Sequence, residues 1–207
     1  MVADGIYYAL ALSAGGILVS YLSRPAFGAP LFVLALFCLW FFRDPDRRIP
    51  EGPVAVSPAD GKVVHVLRET PERTRVSIFL NIFDVHVNRS PIAGTITDVR
   101  YHKGKFLVAS QEKASSENEQ NVITVEKDGV KVVFSQIAGL IARRIVCYKK
   151  PGDTVAKGER IGLIKFGSRL DVELGPEWDV AVAPGMRVAA GSSVLARRKG
   201  AAAPPGE

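Results

Sequence analysis

The distribution of charged residues constrains this chain more than any other feature. Only Asp4 and Arg24 carry a charge among the first 42 residues, although the 207-residue sequence contains 27 Lys and Arg and 21 Asp and Glu. Residues 5–23 contain no charged side chain and, as a helix, would just cross a hydrocarbon core of roughly 30 Å. A second apolar run, residues 31–42, follows a break rich in Pro and Gly. The pattern predicts a membrane-associated helical hairpin over residues 1–43.

Two other structures could account for the same apolar runs. A signal peptide would begin with basic residues, whereas Asp4 precedes the first run and a second run follows it closely. A buried helix pair in a soluble protein stays open as an alternative. Arg43, Arg47 and Arg48 follow the hairpin, and positive residues favour the cytoplasmic side of a membrane. We therefore expect residues 44–207 on the cytoplasmic face of the cell membrane.

The remainder of the chain has the pattern of a β domain. Short β-branched runs are bounded by turns, for example at residues 62–67, 75–80, 122–126 and 130–135. Asp128-Gly129 between the last two runs is a strong hairpin signal. The sequence therefore predicts a mainly β catalytic or binding domain over residues 44–207.

A weak internal repeat lies near the end of the sequence. Residues 151–162 and 184–195 share Pro, Gly, Val and Gly at a spacing of 33 residues. These two arms, together with residues 58–63, resemble hairpins of biotinyl and lipoyl carrier domains. The repeat predicts a barrel-sandwich-like fold in which the two arms pair as related halves.

The pair Gly167-Ser168 lies between the two arms and could carry chemistry. A serine hydroxyl can attack the carbonyl of the residue before it and convert the amide into an ester. This requires a small, conformationally free preceding residue, which glycine supplies, and a base for the hydroxyl proton. Elimination from the ester would leave dehydroalanine, which hydrolyses to a pyruvoyl group. Gly-Ser is also common in ordinary turns, so the pair alone decides nothing.

Other chemistries fit the sequence less well. A serine-hydrolase elbow would need glycine at two positions occupied by Phe166 and Leu170. Cys38 and Cys147 lack the spacing of a structural zinc site, and we expect no metal.

His86 lies in a segment with strand-like alternation. Asp84, His86 and Asn88 share one face, and Val85 and Val87 share the other. A polar strand face of this kind lines a cleft or forms a solvated edge, and the pattern leaves both open.

The combination of motifs is more specific than any one of them. Residues 58–62 (PADGK), 83–91 (FDVHVNRSP) and 166–168 (FGS) follow a hydrophobic hairpin that ends in FFRDP. Together they resemble the phosphatidylserine decarboxylase family, in its short, archaeal-type form, over nearly the whole chain. That family is made as a proenzyme that cuts itself. The resemblance implies a cut between Gly167 and Ser168, giving a β chain of residues 1–167 and an α chain of residues 168–207.

The resemblance also implies roles for particular residues. Ser168 becomes the pyruvoyl cofactor, His86 takes the hydroxyl proton, and Asp60 orients and stabilises the imidazolium. Longer relatives have a second histidine where this sequence has Arg89. This difference leaves open whether His86 serves both maturation and decarboxylation.

The implied reaction belongs to phospholipid biosynthesis. The amine of phosphatidylserine condenses with the pyruvoyl ketone, CO2 leaves, and His86 returns a proton to the α-carbon. Hydrolysis of the Schiff base then releases phosphatidylethanolamine. Arg89, Arg143 and Arg144 are the candidates for binding the substrate phosphate. The implied partners are a phospholipid in the membrane and the α and β chains of one proenzyme as a heterodimer, with a higher oligomer left open and no nucleic acid.

Two other functions remain to be compared. A non-enzymatic, membrane-anchored carrier or adaptor with a lipoyl-like fold would stay one chain. A pyruvoyl decarboxylase for a soluble amino acid would be cut but would not need the hydrophobic hairpin. The hairpin therefore favours a lipid substrate.

Overall fold

The computed structural model describes residues 2–140, 144–165 and 167–200 of the chain. It contains two compact units, Met1–Asp46 and Arg47–Glu207. Of the described residues, 41% are in strands and 21% are in helices, and the main sheet curls into a half-barrel. The prediction of a mainly β, barrel-sandwich-like fold with an apolar N-terminal segment is confirmed.

The first unit consists of two antiparallel apolar helices, α1 (Ala3–Leu22) and α2 (Pro25–Phe41). Proline suits the first position of α2, where the helix needs no backbone N–H donor. The helices approach closely because Gly28 has no side chain, and a Cβ there would collide with Gly16 and Ser20. By length and composition α1 could cross a membrane, whereas α2 is a shorter apolar helix.

The second unit is built from strands. Its described residues contain one short helix, α3 (Ala114–Glu117), and fourteen strands. The strands are β1 (Val54–Val56), β2 (Gly61–Thr70), β3 (Arg73–Leu80), β4 (Val87–Arg89), β5 (Gly94–His102), β6 (Gln120–Lys127), β7 (Val130–Ala138), β8 (Ile145–Cys147), β9 (Thr154–Val155), β10 (Arg160–Ile164), β11 (Ser168–Leu174), β12 (Trp178–Val180), β13 (Arg187–Val188) and β14 (Val194–Arg198).

Most strands join one eight-stranded sheet, in the order β13-β2-β3-β11-β7-β6-β5-β9. Two three-stranded sheets, β1-β14-β12 and β4-β10-β8, complete the unit. One face of the large sheet forms the apolar core, because alternate residues of a strand point to the same side. In the central strands these core residues are Val76, Ile78, Leu80, Val130, Val132, Phe134, Leu170, Val172 and Leu174.

The two repeated arms take equivalent places at opposite ends of the large sheet. From the first arm, β9 pairs with β5 at one edge, and from the second, β13 pairs with β2 at the other. Each arm also supplies the central strand of a three-stranded sheet, β10 or β14. The expectation that the arms pair with each other was therefore wrong. Each arm instead pairs with a strand from earlier in the sequence. The Gly152 N–H donates to the Ile96 carbonyl and the Gly185 N–H to the Val63 carbonyl, both at 2.8 Å.

The equivalence extends to these earlier strands. Gly61 and Gly94, again 33 residues apart, begin β2 and β5, and a Cβ on either would collide with a carbonyl of the adjacent strand. Both strands have a register shift at the same place, after Val63 in β2 and after Ile96 in β5. The strands therefore form two similar sets. The first set is β1–β3 with β11–β14, and the second set, β4–β10, is inserted between β3 and β11.

The insertion explains the location of Gly167-Ser168. In the second set, β6 and β7 are joined by the predicted Asp128-Gly129 hairpin turn, which is confirmed. In the first set, Leu80 at the end of β3 lies opposite Ser168 at the start of β11. Gly167 thus corresponds to Gly129, and the two have φ values of +63° and +72°. Such left-handed backbone favours glycine because other side chains are strained there.

Candidate active site

Ser168 is fully buried at the start of β11. Its side chain lies on the core face of the large sheet, because Leu170 and Val172 on that face are two and four residues further along. Among the residues that the structure describes, its Oγ has no hydrogen-bond partner. Burying a hydroxyl without a partner costs about 1–3 kcal/mol, so such groups call for a functional explanation.

His86 lies immediately before β4 and is 2% exposed. Its Nδ1 is 2.9 Å from the carbonyl oxygen of Asp84, and its Nε2 is 3.3 Å from the backbone nitrogen of Gly167. A carbonyl only accepts hydrogen bonds, and a backbone N–H only donates them. These partners therefore assign the proton of the neutral ring to Nδ1 and a lone pair to Nε2. The basic nitrogen of His86 faces the Gly167-Ser168 segment.

The segment that carries His86 is fixed by Asp84. One carboxylate oxygen of Asp84 accepts a hydrogen bond from the Asn81 N–H at 2.9 Å, and the other pairs with Arg187. The carbonyl of Asp84 then holds Nδ1 of His86. A backbone carbonyl has no residue-type signature, so the sequence carries no signal for this contact.

The carbonyl of Gly167 is held by close packing. A Cβ added to Gly139 would collide with the Gly167 oxygen and would lie 3.1 Å from the Cβ of Ala109. Gly139 directly follows Ala138, which lies opposite Ser168 in the sheet. The absence of a side chain at Gly139 therefore lets the end of β7 approach the carbonyl that Ser168 would attack.

Asp60, the third predicted catalytic residue, has other partners. Both of its oxygens lie 2.9 Å from Nη2 of Arg47, and Oδ1 also accepts the Ala190 N–H at 2.7 Å. The structure thus brings Ser168 and His86 together and directs the Asp60 carboxylate toward Arg47. Nδ1 of His86 donates to the Asp84 carbonyl. The Asp60 carboxylate, which was predicted to orient and stabilise the imidazolium, accepts from Arg47 and from the Ala190 N–H. The catalytic role of Asp60 stays a prediction.

The three arginines predicted to bind phosphate have different surroundings. Arg89 is 8% exposed, and its Nη1 donates to the Gly158 carbonyl at 3.0 Å. Its guanidinium is thus buried between elements of the fold, and its role as a phosphate ligand stays a prediction. Arg144 is exposed, and Arg143 lies outside the described residues.

A chain of buried amide side chains links two sheets beside the site. Asn121 Nδ2 donates to Gln136 Oε1 at 3.1 Å, and Gln136 Nε2 donates to Asn88 Oδ1 at 2.9 Å. Gln136 belongs to β7 of the large sheet and Asn88 to β4 of a small one. In the sequence, the alternation of Asp84, His86 and Asn88 was the only signal for these amide contacts. Of the three amide residues it identified only Asn88.

A cavity of about 500 Å³ lies on the opposite face of the large sheet. Charged residues line it, including Arg75, Asp171 and Glu173, which alternate with the core residues of β3 and β11. Its carboxylates and guanidinium groups are paired, as in the contacts of Arg75 with Glu69 and Asp171. Within the described ranges there is no cluster of three or more His, Cys, Asp or Glu side chains suited to a metal ion.

Comparison with known proteins identifies the family. The family model for phosphatidylserine decarboxylase matches residues 34–196. Three proteins named phosphatidylserine decarboxylase proenzyme are similar along most of their length. That of Solibacter usitatus is 67% identical and covers 96% of this chain and 97% of its own. That of Magnetococcus marinus is 49% identical, covering 82% of each chain. That of Solidesulfovibrio magneticus is 47% identical, covering 94% of each chain.

These relatives are bacterial, so they do not support the archaeal-type form suggested by the motifs. Both the family model and the identities cover the segments around His86 and Ser168. The chain therefore belongs to the phosphatidylserine decarboxylase family.

Proposed function

We propose that this chain is a proenzyme that cuts itself between Gly167 and Ser168 and then decarboxylates phosphatidylserine. The observation that carries the proposal is the buried, unpartnered Oγ of Ser168 beside a peptide group that is in contact with Nε2 of His86. The names of the relatives support the substrate and the proenzyme form.

Self-cleavage uses the hydroxyl, the base and the carbonyl described above. Nε2 of His86 takes the proton of Ser168 Oγ as the oxygen attacks the carbonyl carbon of Gly167. The C–N bond breaks, leaving an ester on Oγ and a free amine on Ser168. Removal of the Cα proton of Ser168 then expels the Gly167 carboxylate. Water converts the resulting dehydroalanine into a pyruvoyl group and ammonia.

The residues fit a pyruvoyl group at position 168. The serine that must be consumed is buried, a glycine at positive φ precedes it, and its hydroxyl has no competing partner among the described residues. When formed, the group supplies a ketone that withdraws electrons from the substrate as CO2 leaves. In the second reaction His86 returns a proton from Nε2 to the substrate carbon. No metal takes part in this proposal.

Exposed apolar residues near the site support a substrate that stays in a bilayer. Phe83 is 69% exposed three residues before His86, and Leu140 is 57% exposed next to Gly139. Val108 is 42% exposed beside Ala109, which packs near Gly139. We call Phe83, Val108 and Leu140 the apolar rim. Such a surface fits the headgroup boundary of a membrane better than water.

The membrane assignment rests on the rim and on the first unit. Helix α1 supplies a candidate anchor, and the arginines after α2 support a location of residues 44–207 on the cytoplasmic face of the cell membrane. After the cut, residues 1–167 and 168–207 stay together as a heterodimer. The reason is that β11 is hydrogen-bonded to β3 on one side and to β7 on the other.

Intact mass spectrometry of the denatured, purified protein tests the proposal. The expected result is two species, residues 1–167 and residues 168–207, with the smaller one lacking an α-amino group. The cut protein should then release CO2 from phosphatidylserine vesicles and not from free serine. A single uncut mass after incubation at neutral pH would overturn self-cleavage and favour the adaptor. Equal turnover of free serine would overturn the lipid substrate.

A further inference from the structure

Asn88 is a buried polar residue that the proposed chemistry does not use. It is fully buried in β4, two residues after His86. Its Oδ1 accepts a hydrogen bond from Gln136, whereas its Nδ2 lacks a partner in the part of the chain that the structure describes. A buried amide donor without an acceptor is destabilising, a penalty that a ligand could relieve.

The orientation of the Asn88 amide follows from its neighbours. Nε2 of Gln136 lies 3.4 Å from the carbonyl oxygen of Val146, which can only accept, so this atom is the amino group of Gln136. Oε1 of Gln136 accordingly accepts from Asn121. The atom of Asn88 that meets Gln136 must then be the oxygen, and the NH2 group is left without an acceptor.

The free donor lies on the same side of the sheet as Ser168. Ser168 lies opposite Ala138 of β7, and Gln136, two residues earlier in β7, points to the same face. Asn88 is hydrogen-bonded to Gln136 on that face. Within the described ranges, Nδ2 of Asn88 and Oγ of Ser168 are thus buried polar atoms in this region that have no partner.

We propose that Nδ2 of Asn88 donates a hydrogen bond to the ketone oxygen formed at position 168. This inference rests on the proposed self-cleavage, which replaces a residue bearing a hydroxyl by one bearing a carbonyl acceptor. A neutral donor that is oriented in advance stabilises an oxygen on which negative charge develops. Gln136 and Asn121 are positioning residues, because they act by holding the Asn88 amide.

Two variants remove the donor in different ways. Asn88→Asp keeps an oxygen toward Gln136 and loses the NH2 group. Gln136→Glu keeps Asn88 but replaces the donor facing its oxygen by an acceptor, so the Asn88 amide turns to give its NH2 group to Glu. Asn118→Asp is the matched control, because Asn118 is a buried asparagine whose Nδ2 already donates to Leu107 and Ala138.

The experiment has three readouts. Intact mass spectrometry first establishes the fraction cut in each full-length protein, and thermal unfolding establishes that it is folded. The rate at which hydroxylamine traps the ketone on the 168–207 fragment then reports how strongly the ketone is polarised. Finally, kcat and KM are measured on phosphatidylserine vesicles.

We expect trapping to slow and kcat to fall about 10²- to 10³-fold in both variants, with KM changed little, since loss of one such donor costs about this much in kcat. The control should lose stability without a comparable fall in trapping. Trapping at the wild-type rate in cut Asn88→Asp would overturn the donor role. Wild-type trapping in Gln136→Glu would overturn the orientation by Gln136. A wild-type protein that is never cut would instead overturn the proposed function itself.

Discussion

The entry into β7 and the entry into β11 occupy equivalent places in the large sheet and share a glycine with positive φ, yet they differ in the groups around that glycine. At the first, Gly129 at φ +72° closes a two-residue turn, and Val130 enters the core. At the second, Gly167 at φ +63° precedes Ser168, whose hydroxyl is buried in the position of the Val130 side chain.

The comparison separates what the scaffold requires from what the chemistry requires. A glycine with positive φ before a strand serves both places, so Gly167 on its own is a structural feature. The second place adds a hydroxyl, the lone pair of His86, and the close approach of Gly139 to the carbonyl. The proposed self-cleavage would thus depend on what surrounds a turn-like glycine rather than on the turn.

Changing the first residue of each of the two strands, Ser168 in β11 and Val130 in β7, should have the largest effect on this comparison. Ser168→Ala should abolish the cut, because no nucleophile remains at the Gly167 carbonyl. Val130→Ser creates a Gly-Ser pair at the equivalent turn and should not be cut, because His86 is paired with Gly167 instead. Intact mass spectrometry reads both variants. A chain cut after Gly129 in Val130→Ser would show that the glycine and the hydroxyl are sufficient.

His86→Ala removes the proposed base, which contacts Gly167 at the entry into β11. We expect self-cleavage to slow by about 10²–10⁴-fold, the usual contribution of a positioned acid–base group. His102→Ala is the control, since His102 is exposed at the end of β5. The time course of the uncut band on denaturing gels measures the rate. Cleavage of His86→Ala at the wild-type rate would assign the proton transfer to another group.

Gly139→Ala tests the close approach of Gly139 to the Gly167 carbonyl, which the entry into β7 lacks in this comparison. The new Cβ would meet the Gly167 oxygen, so the carbonyl must move, and overpacking of this kind costs about 1–3 kcal/mol. We expect slower self-cleavage and a lower urea midpoint. Adding Ala109→Gly removes a second contact of the new Cβ but not the clash with the carbonyl, so the double variant should remain slow. Full recovery in the double variant would assign the defect to Ala109.

Replacing Gly129 or Gly167 by alanine should have the smallest effect, a modest loss of stability. A Cβ on Gly129 or on Gly167 would meet nothing within 4 Å, so alanine at either place costs only the strained backbone, about 1–2 kcal/mol. Urea unfolding in the uncut Ser168→Ala background should give similar losses for Gly129→Ala and Gly167→Ala. A much larger loss at Gly167 would mean that the two places are not equivalent.

Local patterns predicted the elements that depend on neighbours in sequence. Asp128-Gly129 marked its hairpin, and the uncharged runs marked α1 and α2. The partners of the arms were not predictable from them, because each arm pairs with a strand that begins about 60 or more residues away rather than with the other arm. The Ser-Pro-x-x-Gly pattern at residues 57–61 and 90–94 has the same 33-residue spacing and could have revealed the duplication.

The candidate site was predictable where side chains carry the chemistry. Ser168 and His86 were identified by residue type and motif, and the structure brings them together around Gly167. The contacts made by the carbonyl of Asp84 and by Gly139 involve backbone atoms and an absent side chain, which leave no signature in one sequence. For Asp60 the side chain carries a recognisable motif but its partner was not predictable. The motif gives no indication that the carboxylate pairs with Arg47, 13 residues earlier.

The insertion of the second strand set between β3 and β11 has a consequence for the timing of synthesis. While the ribosome is still adding residues 81–167, β3 has no β11 beside it, whereas β6 and β7 can already close through their two-residue turn. Only when residues 168–174 have emerged can the first set be completed and the serine enter the sheet. If activation is the proposed cut before Ser168, the order of strands along the chain delays it until nearly all of the protein has been made.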